Sequence, residues 1–125
     1  MSKNLTIAID FDGTLVYDGC YPNFGSIKPN AINVIKKIID NGHRIIIWTC
    51  RGGEEQMNGI RKKLNKHGVF KFIINEHFKD TLDEFEHFSP KVFASIYIDD
   101  RSLHAMHNGI DWFEIEDMLI EGGVI

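Results

Sequence analysis

The arrangement of apolar, β-prone segments is the feature that most constrains the fold of this chain. Four such segments occur along the sequence, at residues 5–9, 44–48, 70–74 and 95–98. Helical or loop patterns separate each segment from the next, so that strands and helices alternate. Alternation of this kind produces a mostly parallel sheet covered by helices on both faces. The sequence therefore predicts a three-layer α/β fold.

Apolar residues at helical spacing predict the helices of this fold. The expected helices cover residues 30–41, 54–67 and 112–121. The last of them is expected to bury Ile115, Met118 and Leu119. Residues 11–29 and 75–89 have loop-like compositions, the second with a helical turn. Ser89 followed by Pro90 predicts the N-cap and first turn of a further helix.

Length and composition favour one globular domain over residues 1–125, since domains most often contain roughly 100–150 residues. The net charge of −4 argues against a general nucleic-acid binder, which would normally be basic. Residues 1–4 do not resemble a signal peptide, and no apolar run approaches the ~20 residues that cross a bilayer. Cys20 and Cys50 are too few for a disulfide scaffold. We therefore expect a cytoplasmic protein with two reduced thiols and no membrane contact.

Each predicted strand ends in a polar residue. The four residues at these ends are Asp10, Thr49, Asn75 and Asp99. Ligands of open parallel sheets bind beyond the carboxyl ends of the strands, where the strand order reverses. The strand ends are therefore the predicted site of function.

Acidic residues are concentrated at two of these strand ends. Asp10 and Asp12 are expected to point the same way, because side chains alternate along an extended segment, and Gly13 permits a sharp turn beside them. If Asp99 and Asp100 end a neighbouring strand, three or four carboxylates converge. Such a cluster requires a cation, and Mg²⁺ suits carboxylates, waters and a phosphate oxygen. The alternative is a solvated turn with a helix-capping acidic pair.

Four short motifs resemble the signatures of the haloacid-dehalogenase-like (HAD) hydrolases. Residues 10–15 (DFDGTL) match the first signature, and residues 45–49 (IIIWT) resemble the second, an apolar strand ending in Thr or Ser. Lys91 fits the basic third signature, and residues 96–100 (IYIDD) resemble the fourth, a strand ending in an acidic pair. The resemblance implies a Rossmann-like core.

The resemblance also implies catalytic roles. Asp10 would be the nucleophile that forms an aspartyl-phosphate, and Asp12 would be the general acid and base. Thr49 would donate a hydrogen bond to the phosphoryl group, and Lys91 would offset negative charge. The expected ligands of Mg²⁺ are Asp10, Asp12 through its backbone carbonyl, Asp99 and Asp100.

Further residues are candidates for contact with the phosphate or the rest of the substrate. They are Gly13, Thr14, Thr49, Cys50, Arg51 and Lys91. Arg51 could instead have a surface or ion-pair role, and Lys91 could be a solvated lysine. Lys79 and Arg101 compete with both for contact with the anion.

Many members of the family insert a cap domain that selects the substrate, and this chain has no room for one. Residues 15–28 are too few for a domain, and the segment from residue 49 to residue 91 is filled by the core itself. The chain therefore resembles the capless branch, in particular small stand-alone phosphatase-like proteins of bacteria and phages. An open site implies either a macromolecular substrate or a homo-oligomer.

The sequence thus predicts a Mg²⁺-dependent phosphomonoester hydrolase acting on a small phosphorylated substrate. A 3′-phosphatase for nucleic-acid ends is less favoured because of the acidic net charge. A non-enzymatic binding or regulatory module of the same fold is the alternative of another class, and an aspartyl-phosphate receiver is a third. The presence of Asp10, Asp12, Thr49 and Asp99 together argues against the binding module, and Asp12 argues against the receiver because it supplies the base that would clear the phosphate.

Overall fold

Strands and helices alternate along the computed structural model, which describes residues 4–125. In chain order the elements are β1 (Thr6–Ile9), α1 (Ala31–Asp40), β2 (Arg44–Ile47), α2 (Glu54–Lys66), β3 (Ile73–Ile74), α3 (Lys79–Phe85), β4 (Ile96–Ile98), α4 (Leu103–Asn108) and α5 (Trp112–Glu121). This alternation is what the spacing of the apolar segments predicts.

The four strands form one parallel sheet in the order β3-β2-β1-β4. Strand β1 is central, and its last residue, Ile9, lies opposite Ile47 of β2 and Ile98 of β4. Because the register aligns these three strand ends, the residues that follow them emerge at the same edge of the sheet. The order also reverses at β1, since β2 lies on one side of it and β4 on the other.

Two cores lie on opposite faces of the sheet, because side chains alternate along each strand. The larger core joins buried side chains of β1 and β2, including Ile7 and Ile9, to the apolar faces of α1, α2 and α5. The smaller core joins Ala8 of β1 and Ile46 of β2 to Val92 and Ala94, and Phe78, just before α3, packs against it. Each fully buried isoleucine contributes about 1.5–3 kcal/mol to folding. The predicted three-layer, Rossmann-like α/β fold is confirmed.

A buried histidine ties the start of the sheet to the end of the chain. His43 Nδ1 accepts a hydrogen bond from the Leu5 backbone N–H at 2.9 Å. Its Nε2 therefore carries the ring hydrogen and donates to the Val124 carbonyl at 2.7 Å. This pair of bonds fixes the segment that follows α5 against the edge of the sheet at which the strands begin.

Several predicted elements differ from those observed. The strand expected over residues 70–74 is formed only by Ile73–Ile74. No helix follows Ser89, because the Ser89 hydroxyl donates to the Lys91 carbonyl within a local turn. Helix α4 was not predicted, since Ala105 is its one buried residue and no apolar periodicity marks it. Met118 is 49% exposed and faces outward.

Neither slot for a cap domain holds one within the described residues. The connection from β1 to α1 contains two isolated bridges, Asp12 to Val16 and Val16 to Ile27, which fold it back over the end of β1. The segment between β2 and β4 contains only α2, β3, α3 and loops. None of the helices formed by residues 4–125 has the length and apolar character needed to cross a membrane.

Candidate active site

Three carboxylates converge where β1 and β4 end. Asp10, Asp99 and Asp100 each place one oxygen so that the three atoms lie within 4.8 Å of one another. The backbone N–H of Asp10 donates to the Ile98 carbonyl at 2.9 Å, which fixes the two strand ends side by side. All three side chains are partly buried. The convergence expected from the strand ends is thus present.

The hydroxyl of Thr14 links the two strand ends. Its oxygen donates to Asp10 Oδ2 at 2.9 Å and accepts the backbone N–H of Asp100 at 2.8 Å. The carbonyl of Thr14 accepts a hydrogen bond from the ring nitrogen of Trp112 at 2.8 Å, so α5 holds this turn from behind. Thr14 is fully buried. Its polar groups are occupied by the protein, which favours a positioning role over the expected contact with phosphate.

The pKa of Asp10 is raised to about 7. Burial is the largest cause; the hydrogen bond from Thr14 lowers the pKa, whereas the hydrogen bond with Asp100 and the charges of Asp99 and Asp100 raise it. The protein alone therefore stabilises a proton among these carboxylates. A divalent cation would replace that proton and relieve the same repulsion, so the donor set fits a hard metal ion.

Gly13 allows Asp100 to approach the turn after β1. Its φ is +83°, a conformation that favours glycine, and a Cβ at this position would lie 2.3 Å from Asp100 Oδ2. The Gly13 carbonyl accepts a hydrogen bond from Lys28 Nζ at 2.7 Å. The sequence did not predict this role of Lys28. Only its position at the end of the loop before α1 could have indicated it.

The carboxylate of Asp12 lies outside the acidic cluster and pairs with Arg51. Arg51 Nε donates to Asp12 Oδ2 at 2.7 Å, and Nη2 donates to Oδ1 at 2.8 Å. This is a two-point interaction between a planar guanidinium and a carboxylate. The expected involvement of Asp12 in metal binding rests on its backbone carbonyl alone, because Arg51 binds both oxygens of its side chain.

Arg51 is buried, and its remaining donors are also used. Nη1 donates to the Pro22 carbonyl at 3.2 Å and to Gln56 Oε1 at 2.6 Å, while Nη2 donates to the Asn23 carbonyl at 2.6 Å. A guanidinium has five N–H donors, and all five have partners here. The hydrogen bond and charge of Asp12 raise the pKa of Arg51 further above its usual value. The geometry therefore disfavours the expected contact between Arg51 and a phosphate, and instead favours the ion-pair alternative.

Thr49 is held at the end of β2 by Asn75. The Thr49 backbone N–H donates to Asn75 Oδ1, and Asn75 Nδ2 donates back to the Thr49 carbonyl, both at 2.8 Å. The Thr49 hydroxyl accepts the backbone N–H of Arg51 at 3.1 Å. Among the described residues that hydroxyl donates to no partner, so its hydrogen remains available to a ligand. Asn75 was expected at this edge, but not as the support of Thr49.

The other candidates for anion contact are more exposed. Lys91 Nζ lies 5.0 Å from the centroid of the Tyr97 ring, and within residues 4–125 it forms no hydrogen bond or ion pair with Asp10. Cys50 is exposed in the loop after Thr49. Arg101 is exposed beside the acidic pair, where its backbone N–H donates to Asp99 Oδ1 at 2.8 Å. Lys79 is the exposed first residue of α3.

An open pocket of about 550 Å³ lies beside the acidic cluster. Gly13, Lys28, Asp100 and Arg101 contribute its polar lining, so both signs of charge face it. A second cavity of about 480 Å³ lies between β4, α4 and α5 and is lined mainly by apolar side chains. Asp100 lines the first pocket and Asp99 lines the second, so each adjoins one carboxylate of the cluster, and the first is the more polar of the two.

Comparison with known proteins supports the relationship suggested by the four motifs. A family model described as haloacid dehalogenase-like hydrolase matches residues 7–77, more than half of the chain, including Asp10, Asp12 and Thr49. A solved structure of a conserved protein from Bacteroides thetaiotaomicron has a TM-score of 0.80 and 33% sequence identity, with 96% of this chain and 93% of that chain covered. No match was found among curated proteins. The matches and the acidic strand ends together show that the chain belongs to the haloacid dehalogenase-like hydrolase family.

Proposed function

We propose that this protein is a Mg²⁺-dependent phosphomonoester hydrolase that acts through an aspartyl-phosphate on Asp10. The observation that supports this most strongly is the convergence of Asp10, Asp99 and Asp100 within 4.8 Å at the ends of adjacent parallel strands. A second carboxylate, Asp12, lies two residues from Asp10 in a fixed orientation. Asp10 and Asp12 provide the two groups that phosphoryl transfer to a carboxylate requires.

The three clustered carboxylates are the proposed holders of the metal ion, together with the backbone carbonyl of Asp12. When bound, Mg²⁺ would neutralise negative charge on the carboxylates and on the transferring phosphoryl group. The raised pKa of Asp10 supports this assignment, because a site that stabilises a proton in the absence of metal also favours a cation.

The side chains of the protein carry the proposed reaction. A carboxylate oxygen of Asp10 attacks phosphorus; an O–P bond forms as the bond from phosphorus to the leaving oxygen breaks, and Asp12 gives that oxygen its proton. Water then attacks the phosphorus of the aspartyl-phosphate, with Asp12 accepting a proton from it. Inorganic phosphate leaves and the Asp10 carboxylate is restored.

Thr49 is the proposed donor to a phosphoryl oxygen. Its hydroxyl oxygen already accepts the Arg51 N–H, and this leaves its own hydrogen free to point toward a ligand. Lys91 is the proposed source of positive charge for the transferring group, by analogy with the family signature that it fits. Its exposed position in the described structure means that it would have to turn toward Asp10 when substrate binds.

The substrate is proposed to be a small phosphorylated molecule. No cap covers the site in the described residues, and the adjoining pocket of about 550 Å³ is open to solvent. A second copy of the chain could cover such a site, so we propose light scattering to establish the oligomeric state; a monomer would leave the site open.

The central experiment is the release of phosphate from a broad panel of phosphoesters, with and without Mg²⁺. We expect Mg²⁺-dependent turnover by the wild type, complete loss in Asp10→Asn, and unchanged turnover in the matched control Asp83→Asn, an exposed residue of α3. Absence of turnover across the panel would contradict the enzyme assignment and favour a binding module. Turnover by Asp10→Asn would contradict its role as nucleophile, and a phosphoprotein stable for hours would indicate a receiver.

A further inference from the structure

We propose that Arg51 is a positioning residue that holds Asp12 and the loop at residues 20–24 as one rigid unit. This inference rests on the proposed role of Asp12 as general acid. Its position shortly after Thr49 suggested a phosphate contact for Arg51, whereas its contacts indicate that it acts through another residue.

The first argument is the geometry of the pair that Arg51 forms with Asp12. The two bonds, 2.7 Å and 2.8 Å long, run from two nitrogens of one planar group to the two oxygens of one carboxylate. A single bond would leave the carboxylate free to rotate, whereas two parallel bonds fix its plane. Proton transfer requires the acid to lie within hydrogen-bond reach of the leaving oxygen, so this plane affects the rate.

The second argument is the anchoring of Arg51 itself. Its side chain is only 4% exposed. The rings of Phe24 and Tyr21 lie 4.4 Å and 5.2 Å from its central carbon, and the carbonyls of Pro22 and Asn23 accept two of its N–H groups. The loop therefore closes around the guanidinium, whose position is fixed independently of Asp12.

The third argument is charge. Asp12 is the only carboxylate that forms an ion pair with Arg51 among the described residues. Moving Arg51 to a substrate phosphate would break this pair and its bonds to the loop, and leave donors and acceptors unpaired in a buried place. The cost of breaking these contacts keeps Arg51 on Asp12 and makes Arg51 a fixed support. Asp12 is a carboxylate in this pair, so it must take up a proton before it acts as the acid, as it does from water in the second step of the proposed reaction.

The test compares alkyl and aryl phosphates in the Mg²⁺-loaded protein. An alkoxide needs protonation as it leaves, whereas a nitrophenolate leaves readily without it. We expect Arg51→Lys to lower kcat for the alkyl substrate by about 10²-fold, within the usual contribution of general acid catalysis, and for the aryl substrate by less than about tenfold. Lysine keeps the charge but cannot form the two-point pair. Arg61→Lys, an exposed arginine of α2 bonded to Asn58, is the matched control and should change neither rate.

A purely structural role would produce a different result. Loss of loop packing alone would lower both rates equally, and an equal loss would overturn the proposal. If Arg51 acts through Asp12, adding Arg51→Lys to the Asp12→Asn variant should lower kcat little further. A double variant whose loss of kcat equals the two single losses combined would also overturn the proposal.

Two controls separate this proposal from the proposed function. The stabilisation of Arg51→Lys by Mg²⁺ should equal that of the wild type, because Arg51 contacts none of the three clustered carboxylates. If the wild type hydrolyses no phosphoester, the proposed function fails. If the wild type is active and Arg51→Lys lowers kcat equally for the two substrates, the positioning role of Arg51 fails and the proposed function stands.

Discussion

At the scale of single residues, Asp10 combines two close carboxylate neighbours with a raised pKa. Its pKa of about 7 in the folded protein lies well above the value near 3.9 of an unfolded aspartate. Burial is the main cause, and the nearby Asp99 and Asp100 add to it. The folded state therefore binds a proton that the unfolded state has lost across roughly pH 4 to 7.

This difference in pKa between the folded and unfolded states predicts that ionisation of Asp10 destabilises the folded protein. Asp10→Asn removes that destabilisation. Without divalent metal, the contribution of Asp10 to the free energy of unfolding is fully present below about pH 4 and is lost as the pH rises through about 7. The stability of Asp10→Asn relative to the wild type should thus increase over this window and then level off. Urea unfolding at several pH values measures it. A difference that stays constant with pH, or that decreases, would contradict the raised pKa.

The sequence could predict some residues of the site better than others. Asp10 and Asp99 were placed correctly because each directly follows a buried strand, and parallel strands end at one edge. The pairing of Asp12 with Arg51 could not be predicted. It joins residues 39 positions apart and depends on carbonyls of Pro22 and Asn23, whose direction is set by an irregular loop.

At the scale of elements, helix α5 supports the site from a distance. Trp112, 1% exposed, donates its ring N–H to the Thr14 carbonyl, and the Thr14 hydroxyl contacts Asp10 and Asp100. A helix near the end of the chain thereby holds the turn that follows the first strand. Helix α5 is therefore connected to the acidic cluster through hydrogen bonds, although it contributes no side chain to the cluster.

Trp112→Phe should weaken both the fold and the site. The change leaves a buried carbonyl without its donor, which costs about 1–3 kcal/mol of unfolding free energy. Chemical denaturation measures this loss, and a smaller stabilisation by Mg²⁺ should accompany it. Trp48→Phe is the control, because Trp48 is half-buried and its ring nitrogen donates to no group within the described residues. Equal losses in the two variants would contradict a specific role for the Trp112 hydrogen bond.

Helices with a clear apolar stripe were predictable, and those without one were not. Helix α5 was predicted with its observed bounds, and α1 and α2 within about two residues of theirs, since each buries residues at helical spacing. Helix α4 buries a single alanine and therefore leaves no periodic signal. The helix expected after Ser89 is absent because a hydroxyl-to-carbonyl bond forms a local turn there instead.

At the scale of the whole molecule, the proposed metal site would couple Mg²⁺ binding to folding, because its carboxylates come together only in the folded chain. A ligand that binds only the folded state stabilises it by about 2.7 kcal/mol at one hundred times its Kd. Mg²⁺ at such a concentration should therefore raise the Tm of the wild type by roughly 10 °C. Asp99→Asn should abolish most of this shift, whereas Asp117→Asn, on the exposed face of α5, should retain it. A wild-type Tm that does not respond to Mg²⁺ would contradict the assignment of the cluster as a metal site.

The bond between Thr14 and Asp100 spans 86 positions of the chain, and this has a consequence for the order of events during synthesis. A growing polypeptide exposes Asp10, the proposed nucleophile, before its partners, because β1 precedes β4 along the chain. The acids of the proposed cation site leave the ribosome later, and they reach Asp10 only when β4 docks beside β1. We therefore expect the nascent chain to remain inactive until β4 has emerged and docked.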